Sequence, residues 1–215
     1  MTNMDAVLTD LYATPPQALP FASSISMRTF LCRRDRGNLL IYGGSDLSAE
    51  VTAVQRLGGV SRHYLNHCHE AEVAGRPSLF PTYVHEDDSS AAAESIGAVE
   101  TFSRRGVVGD DFEVIPIPGH TLGATAFLWD QGEHRILFTG DTVYLTGTQW
   151  VAAMLESSDR EKYAASLELI RDLEFDLLVP WIATRDQPFV SETSPQQTRR
   201  RIDLILERLR RGAGR

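Results

Sequence analysis

The sequence predicts an α/β (α+β) protein built as a sandwich of two mixed β-sheets, with helices enclosing both outer faces. Three observations carry this reading. The elements run strands, helix, strand, helix and then repeat that order, so the chain divides into two β-rich halves, each with covering helices. Helix and strand do not alternate steadily, and no Gly-rich phosphate loop is present, which sets aside a doubly wound parallel sheet. The polar, histidine-bearing segments lie just past the C-terminal ends of apolar strands, where a rigid scaffold can hold side chains around one point.

The elements follow in order. Residues 1–24 carry Pro15, Pro16 and Pro20 and read as an irregular lead-in packed over a core already present. From Ser26 to Tyr42, two apolar runs flank Arg33-Arg34-Asp35-Arg36-Gly37-Asn38, a hairpin pattern. Ser48 can cap a helix in which Val51, Val54 and Leu57 share a face, and Gly58-Gly59 ends it. A short strand at His63-Tyr64-Leu65 runs into the polar segment Asn66-His67-Cys68-His69-Glu70, and another from Pro81 to Val84 stops at His85. Asp87, Asp88, Ser89 and Ser90 cap an Ala-rich helix through Ile96, acidic at its N-terminus as the helix dipole favours. Three strands follow, Phe112 to Ile117, Ala124 to Trp129 and Arg135 to Thr139. Ser158-Asp159-Arg160-Glu161 has the form of a capping box and opens a helix lined by Tyr163, Leu167, Ile170 and Leu173. Asp176 to Pro180 reads as a buried strand, and Ser194-Pro195 opens a C-terminal helix over 195–215 with Ile202, Ile205, Leu206 and Leu209 inward.

A length of 215 residues suits a single domain over 1–215 with a sizeable core. Lys+Arg 21 against Asp+Glu 29 gives a net charge of −8, so there is no basic field to hold phosphates and nucleic acid is not an expected partner. No apolar run approaches the roughly 18 residues of a membrane span, and the N-terminus lacks a basic start followed by an apolar core, so a cytoplasmic protein without a membrane partner is expected. Cys32 and Cys68 do not make a disulfide framework, and both are expected to be reduced.

Four polar segments carry the chemistry: His67-Cys68-His69, His120 in Pro118-Gly119-His120-Thr121, Asp141 in Thr139-Gly140-Asp141-Thr142, and the stretch after Val179-Pro180. Three imidazoles and a carboxylate are the donors a borderline cation such as zinc takes. The order and spacing of these segments resemble the metallo-β-lactamase superfamily over roughly Ser26 to Ala183. Its HxHxDH motif falls on His67-Cys68-His69-Glu70-Ala71-Glu72, its PGHTxG segment is complete at Pro118 to Gly123, and its FTGDT segment is complete at Phe138 to Thr142.

The resemblance implies a four-layer αββα sandwich with the metal site at one edge between the sheets. It further implies a first metal held by His67, His69 and His120, with Asp141 reaching the metals. The second metal is where the sequence departs, because Ala71 and Glu72 replace the last two motif residues and Trp181-Ile182-Ala183 stands where a further histidine is expected. One Zn2+ is therefore expected, with Asp141 as fourth ligand or partner of the bound water. Ala71 removes the family's water-orienting carboxylate, so Glu70 or Glu72 would have to act as base.

The expected activity is mononuclear zinc hydrolysis of a small ester, thioester or lactone. Two other readings use the same residues. His67, His120 and Asp141 match the two-histidine, one-carboxylate triad of non-haem iron oxygenases, which would make the metal Fe2+ and the enzyme similar to the superfamily's persulfide dioxygenases. Alternatively, a fold with a depleted site persists as an inactive metal- or ligand-binding scaffold. Each residue also has an ordinary role to set beside the functional one: hydrogen-bonded strand-end histidines for His67, His69 and His120, a turn carboxylate for Asp141, helix N-terminal charges for Glu70 and Glu72. Tyr144, Trp150 and Trp181 lie in segments expected to border the site mouth, where aromatic walls suit a small-molecule substrate, with core packing as the competing role. A homo-oligomer is compatible with the sequence, although no pattern specifies one.

Overall fold

The triplets Phe30-Leu31-Cys32 and Leu39-Leu40-Ile41 are apolar throughout, so a strand built from them must be covered on both faces. That is what the computed structural model shows, over residues 4–45 and 47–211. The first half runs β1 (Asp5–Leu8), β2 (Leu11–Ala13), β3 (Gln17–Leu19), β4 (Ala22–Met27), β5 (Phe30–Cys32), β6 (Leu39–Ile41), α1 (Val51–Arg56), β7 (Arg62–Tyr64), α2 (Cys68–Ala74), β8 (Thr82–His85), α3 (Ser89–Ile96) and β9 (Glu100–Phe102). The second runs β10 (Gly106–Val108), β11 (Phe112–Pro116), β12 (Thr125–Asp130), β13 (Arg135–Gly140), β14 (Tyr144–Thr146), β15 (Gln149–Val151), α4 (Arg160–Asp172), β16 (Leu177–Pro180), β17 (Ile182–Thr184), β18 (Ser191–Glu192) and α5 (Pro195–Arg210).

A seven-stranded sheet has the order β1-β2-β5-β6-β7-β8-β9, antiparallel as far as β6 and parallel from β6 to β9. A six-stranded sheet, β10-β11-β12-β13-β16-β18, is antiparallel except for the β13–β16 pair. Aromatic side chains from the two meet face to face: Phe30 lies 6.1 Å from Phe138 and Tyr64 lies 5.3 Å from Phe127. Along β5 and β6, Phe30, Cys32, Leu39 and Ile41 join this inner core. Their neighbours Leu31 and Leu40 turn the other way, onto Val54 of α1. Leu65 and Val84 cluster with Ala71 of α2 and with Ala92 and Ile96 of α3. On the far side, α4 and α5 contribute Tyr163, Leu167, Ile170, Ile202 and Leu206 to the main core. The expected αββα layering is present.

Four sequence expectations need correction. The bonded strands form three sheets, the third being β15-β14-β17-β4-β3, so Ser26 and Met27 belong to β4 of that sheet and only β5 and β6 make the hairpin. The lead-in is not irregular: β1 and β2 extend the seven-stranded sheet through Leu11 opposite Cys32, while β3 and β4 pair in the third sheet. The prolines sit between these strands, where a residue without an N–H costs no ladder bond. The helix at 160–172 is capped by Asp159, whose carboxylate accepts from the N–H groups of Glu161 and Lys162, and not by Ser158. Ser158 bonds Leu155 N and the His120 carbonyl instead. Ser48 lies in a short 3₁₀ turn, Leu47–Ala49, ahead of α1. Residues 212–215 of the expected last helix lie outside the described residues. Both cysteines are free and buried, as expected.

Candidate metal centre and cavity

Each candidate ligand stands just beyond a strand end. Past β7 the chain reaches His67, extended at φ −159° and serving as N-cap residue of α2, and the helix start carries His69. β11 leads to Gly119 and His120, and β13 ends at Gly140, directly before Asp141. Gly119 has φ +144°, and a Cβ there would strike the backbone of Tyr163 at the start of α4. Gly140 has φ +56°, and a Cβ there would fall inside the buried Asn66 amide. Left-handed backbone plus that collision make Gly140→Ala an expected loss of about 3 kcal/mol. An unchanged denaturation midpoint would contradict this packing.

The three histidine rings converge. Their centroids lie 4.8–5.2 Å apart in edge-on arrangements, and one donor atom from each falls within 4.8 Å of the other two. His69 Nδ1 is 3.2 Å from His120 Nε2. Asp141 Oδ2 is 3.7 Å from both His67 Nε2 and His120 Nε2. His120 donates its Nδ1 proton to the Ala153 carbonyl at 2.6 Å, which leaves the lone pair on the Nε2 that faces the cluster.

The residues present fit a cation. His67 is fully buried, yet its Nε2, which faces the cluster, has no hydrogen-bond partner among the described residues, and neither does Asp141 Oδ1. Orphaned buried polar atoms cost free energy unless something at the site satisfies them. Burial, with the neighbouring imidazoles adding repulsion, holds His67 well below the usual imidazole range, and burial lowers His120 to about 4. Both are therefore neutral donors at pH 7, the form that ligates metals. Burial pushes Asp141 up to about 7, a value that a cation among the three rings would pull back down.

Glu70 does not stand in the cavity. It is fully buried beneath His67, with Oε1 3.3 Å from His67 Nδ1, and it accepts from Gly43 N at 2.7 Å and Asn66 N at 3.1 Å. It orients a ligand, as carboxylates behind metal-bound imidazoles do, and so departs from the base role considered for it. Glu72, in contrast, lines the cavity with His69, His120 and Asp141. Cys68, His69 and Glu72 form a second group with donor atoms within 4.8 Å of one another. Burial, with Asp88 and Glu72 nearby, raises the Cys68 thiol to about 12.

The cavity above the cluster has a volume of about 580 Å³, within the range of about 300–1,000 Å³ common for small-molecule sites. Tyr144 and Trp181 line it as expected, joined by Ile182 and by Leu19 to Ala22 of the β3–β4 hairpin. Trp181 Nε1 donates to the Gly43 carbonyl, and its rings lie 5.3 Å from His67. Trp150 is not at the mouth. It is buried, stacks on Phe175 and donates to Ser191 Oγ, because β15 is an edge strand turned toward α5. Ala71 packs between α2 and α3 and faces away from the cavity.

Two residues given no part in the site by the sequence shape it, and one of them, Asp88, makes no side-chain bond to cap α3 as expected. Asp88, buried, accepts from Cys68 N at 2.9 Å, Thr121 Oγ1 at 2.7 Å and Gly123 N at 3.0 Å, tying the His67–His69 segment to the His120 loop. Its sequence setting is that of a helix cap, and no local pattern marks it as anything else. Tyr42 has φ +72°, donates its hydroxyl to the Val179 carbonyl and accepts from Gly140 N, which pins the turn before Asp141.

His63, outside the ligand set, gives a pH dependence. Its Nε2 donates to the Tyr42 carbonyl at 2.8 Å and burial lowers it to about 4. The unfolded chain binds this proton near pH 6.5 and the folded chain only near 4, so stability present above 6.5 is lost as pH falls through that window, by about 3 kcal/mol. His63→Gln keeps the donor without the titration and is expected to make the stability curve shallower between pH 6.5 and 4. Equal slopes for the two proteins would contradict this.

Residues 45–180 match the family model described as Metallo-beta-lactamase superfamily, and the chain belongs to that family. A segment of 50 residues is 46% identical to a hydroxyacylglutathione hydrolase of Pseudomonas putida, covering 23% of this chain and 19% of that protein. The chain thus matches less than a fifth of the length of that curated relative. Among solved structures, a metallo-beta-lactamase from Pontibacter korlensis superposes with a TM-score of 0.70 at 16% identity, over 98% of this chain and 99% of the other. The metallo-beta-lactamase FIM-1 from Pseudomonas aeruginosa in its mono-zinc form superposes with a TM-score of 0.71 at 11% identity, over 99% and 96%. At these identities the likeness is one of fold.

Proposed function

We propose that this chain is a metal-dependent hydrolase that uses one Zn2+ to cleave a small ester, thioester or lactone in the cytoplasm. The observation that carries the reading is the convergence of three imidazoles on one point, beside a buried carboxylate, at the floor of a cavity sized for a small molecule. His67, His69 and His120 would hold the ion, with Asp141 as the fourth group. The ion would lower the pKa of its water and polarise the acyl carbonyl. In hydrolysis, the water oxygen forms a bond to the acyl carbon, the C–S or C–O bond breaks, and the leaving sulfur or oxygen takes up a proton.

The chain's own residues arrange the rest. Glu72, which lines the cavity, would accept the water proton, since Glu70 is occupied beneath His67. Tyr144 and Trp181 supply walls for the acyl group, and Trp181 screens His67 from solvent. The partial identity to a thioester hydrolase favours acyl transfer to water over the iron oxygenase reading. The two buried thiols suit a reducing compartment. The test is a panel of acyl esters, thioesters and lactones offered to zinc-loaded protein and to protein stripped with a chelator. Zinc-dependent turnover is expected, and a loaded protein inert across the panel would overturn the reading.

A further inference from the structure

The walls of the cavity are selective in charge as well as in shape. Leu19, Phe21, Ile25, Val73, Leu155 and Ile182 make it apolar, and Phe21 and Leu155 at its rim are 78% and 43% exposed. Its acids are Glu72 and Asp141, and among the described residues no lysine or arginine lines it. Arg28, just past the end of β4, is committed to the Thr14 carbonyl and Asp5. The chain as a whole carries a net charge of −8. A carboxylate on the leaving group, held away from the ion's site, would meet no lysine, arginine or bidentate donor on these walls and would face Glu72 through a low-dielectric wall.

We infer that the substrate is an uncharged acyl compound, with an apolar acyl chain and a leaving group free of carboxylates, and that the cavity discriminates against anionic acyl donors. This rests on the hydrolase reading above and narrows it. A glutathione thioester carries two carboxylates on its leaving group and is therefore a poor substrate for this chain, despite the segment of identity to a hydroxyacylglutathione hydrolase.

The test compares two thioesters of one acyl group, S-butyryl-N-acetylcysteamine, which is neutral, and S-butyryl-glutathione, which is anionic. The zinc-loaded protein is expected to favour the neutral one by at least about tenfold in kcat/KM, and added salt should raise the rate on the anionic one by screening. The corresponding thioethers, which cannot be cleaved, are expected to inhibit in the same order, a readout independent of turnover of the thioester pair. Leu155→Arg, which puts a cation on the cavity rim, should shift the ratio of kcat/KM severalfold toward the glutathione thioester. Equal or reversed preference, with both thioesters cleaved, would overturn the inference and leave the hydrolase reading standing. Turnover of neither, in a protein that cleaves nothing else on the panel, would remove the hydrolase reading itself.

Discussion

Alanine in place of His120 is expected to abolish metal binding and turnover together. Its Nε2 faces His69 Nδ1 at 3.2 Å and Asp141 at 3.7 Å, and its other nitrogen is already given to the Ala153 carbonyl. The ring therefore has one free lone pair, aimed at the cluster. Without it two imidazoles and the Asp141 carboxylate remain, and the site loses the ring that stands between His69 and Asp141. Activity should fall by at least about a thousandfold, the scale on which losing the metal removes both its water and its carbonyl polarisation. The change also removes the bond to the Ala153 carbonyl, so a loss of about 1 kcal/mol of stability accompanies it. The measurement is zinc content per chain beside initial rates, with circular dichroism as the control for folding. A variant that kept zinc and rate would remove His120 from the site.

Asp88→Ala is expected to have the largest effect on the scaffold, at about 3–5 kcal/mol of stability. The alanine leaves Cys68 N and Gly123 N without an acceptor in a buried setting, and bonds to a charged acceptor are worth about 1.5–3 kcal/mol each. The full sum is not expected, because the two loops can shift toward water and the three bonds act as a unit. Loosening those loops also separates His69 from His120, so zinc affinity should drop by about 10–100-fold, as for other groups that orient metal ligands. Asp88→Asn keeps an acceptor oxygen and should recover part of both losses. Denaturant midpoints and chelator competition measure the two effects separately. A variant destabilised with its zinc affinity intact would reduce Asp88 to a packing residue.

Much of this site is legible in the chain because its residues come in short runs. His67-Cys68-His69, Pro118 to Gly123 and Phe138 to Thr142 each follow a recognisable apolar strand, and strand ends bring them together. The central strands and the two long helices were legible for the same reason: apolar periodicity and caps are local signals. What escaped has a non-local cause. β1, β2 and β3 are short, edge-like pieces among prolines, and pairing with β5 and β4 makes them strands. β14 and β15, in a stretch without an evident pattern, are fixed by β17 across the third sheet. Glu70 and Asp88 read as helix charges, and only the folded chain shows one beneath His67 and the other between two loops. Trp150 lay near the site in sequence, but an edge strand turned it toward α5.

The most direct measurement is the metal content of untagged protein purified without added metal, determined by elemental analysis and repeated after dialysis against excess zinc. The account predicts about one zinc per chain. A protein that holds no zinc after dialysis, or one that holds iron in its place, would contradict it.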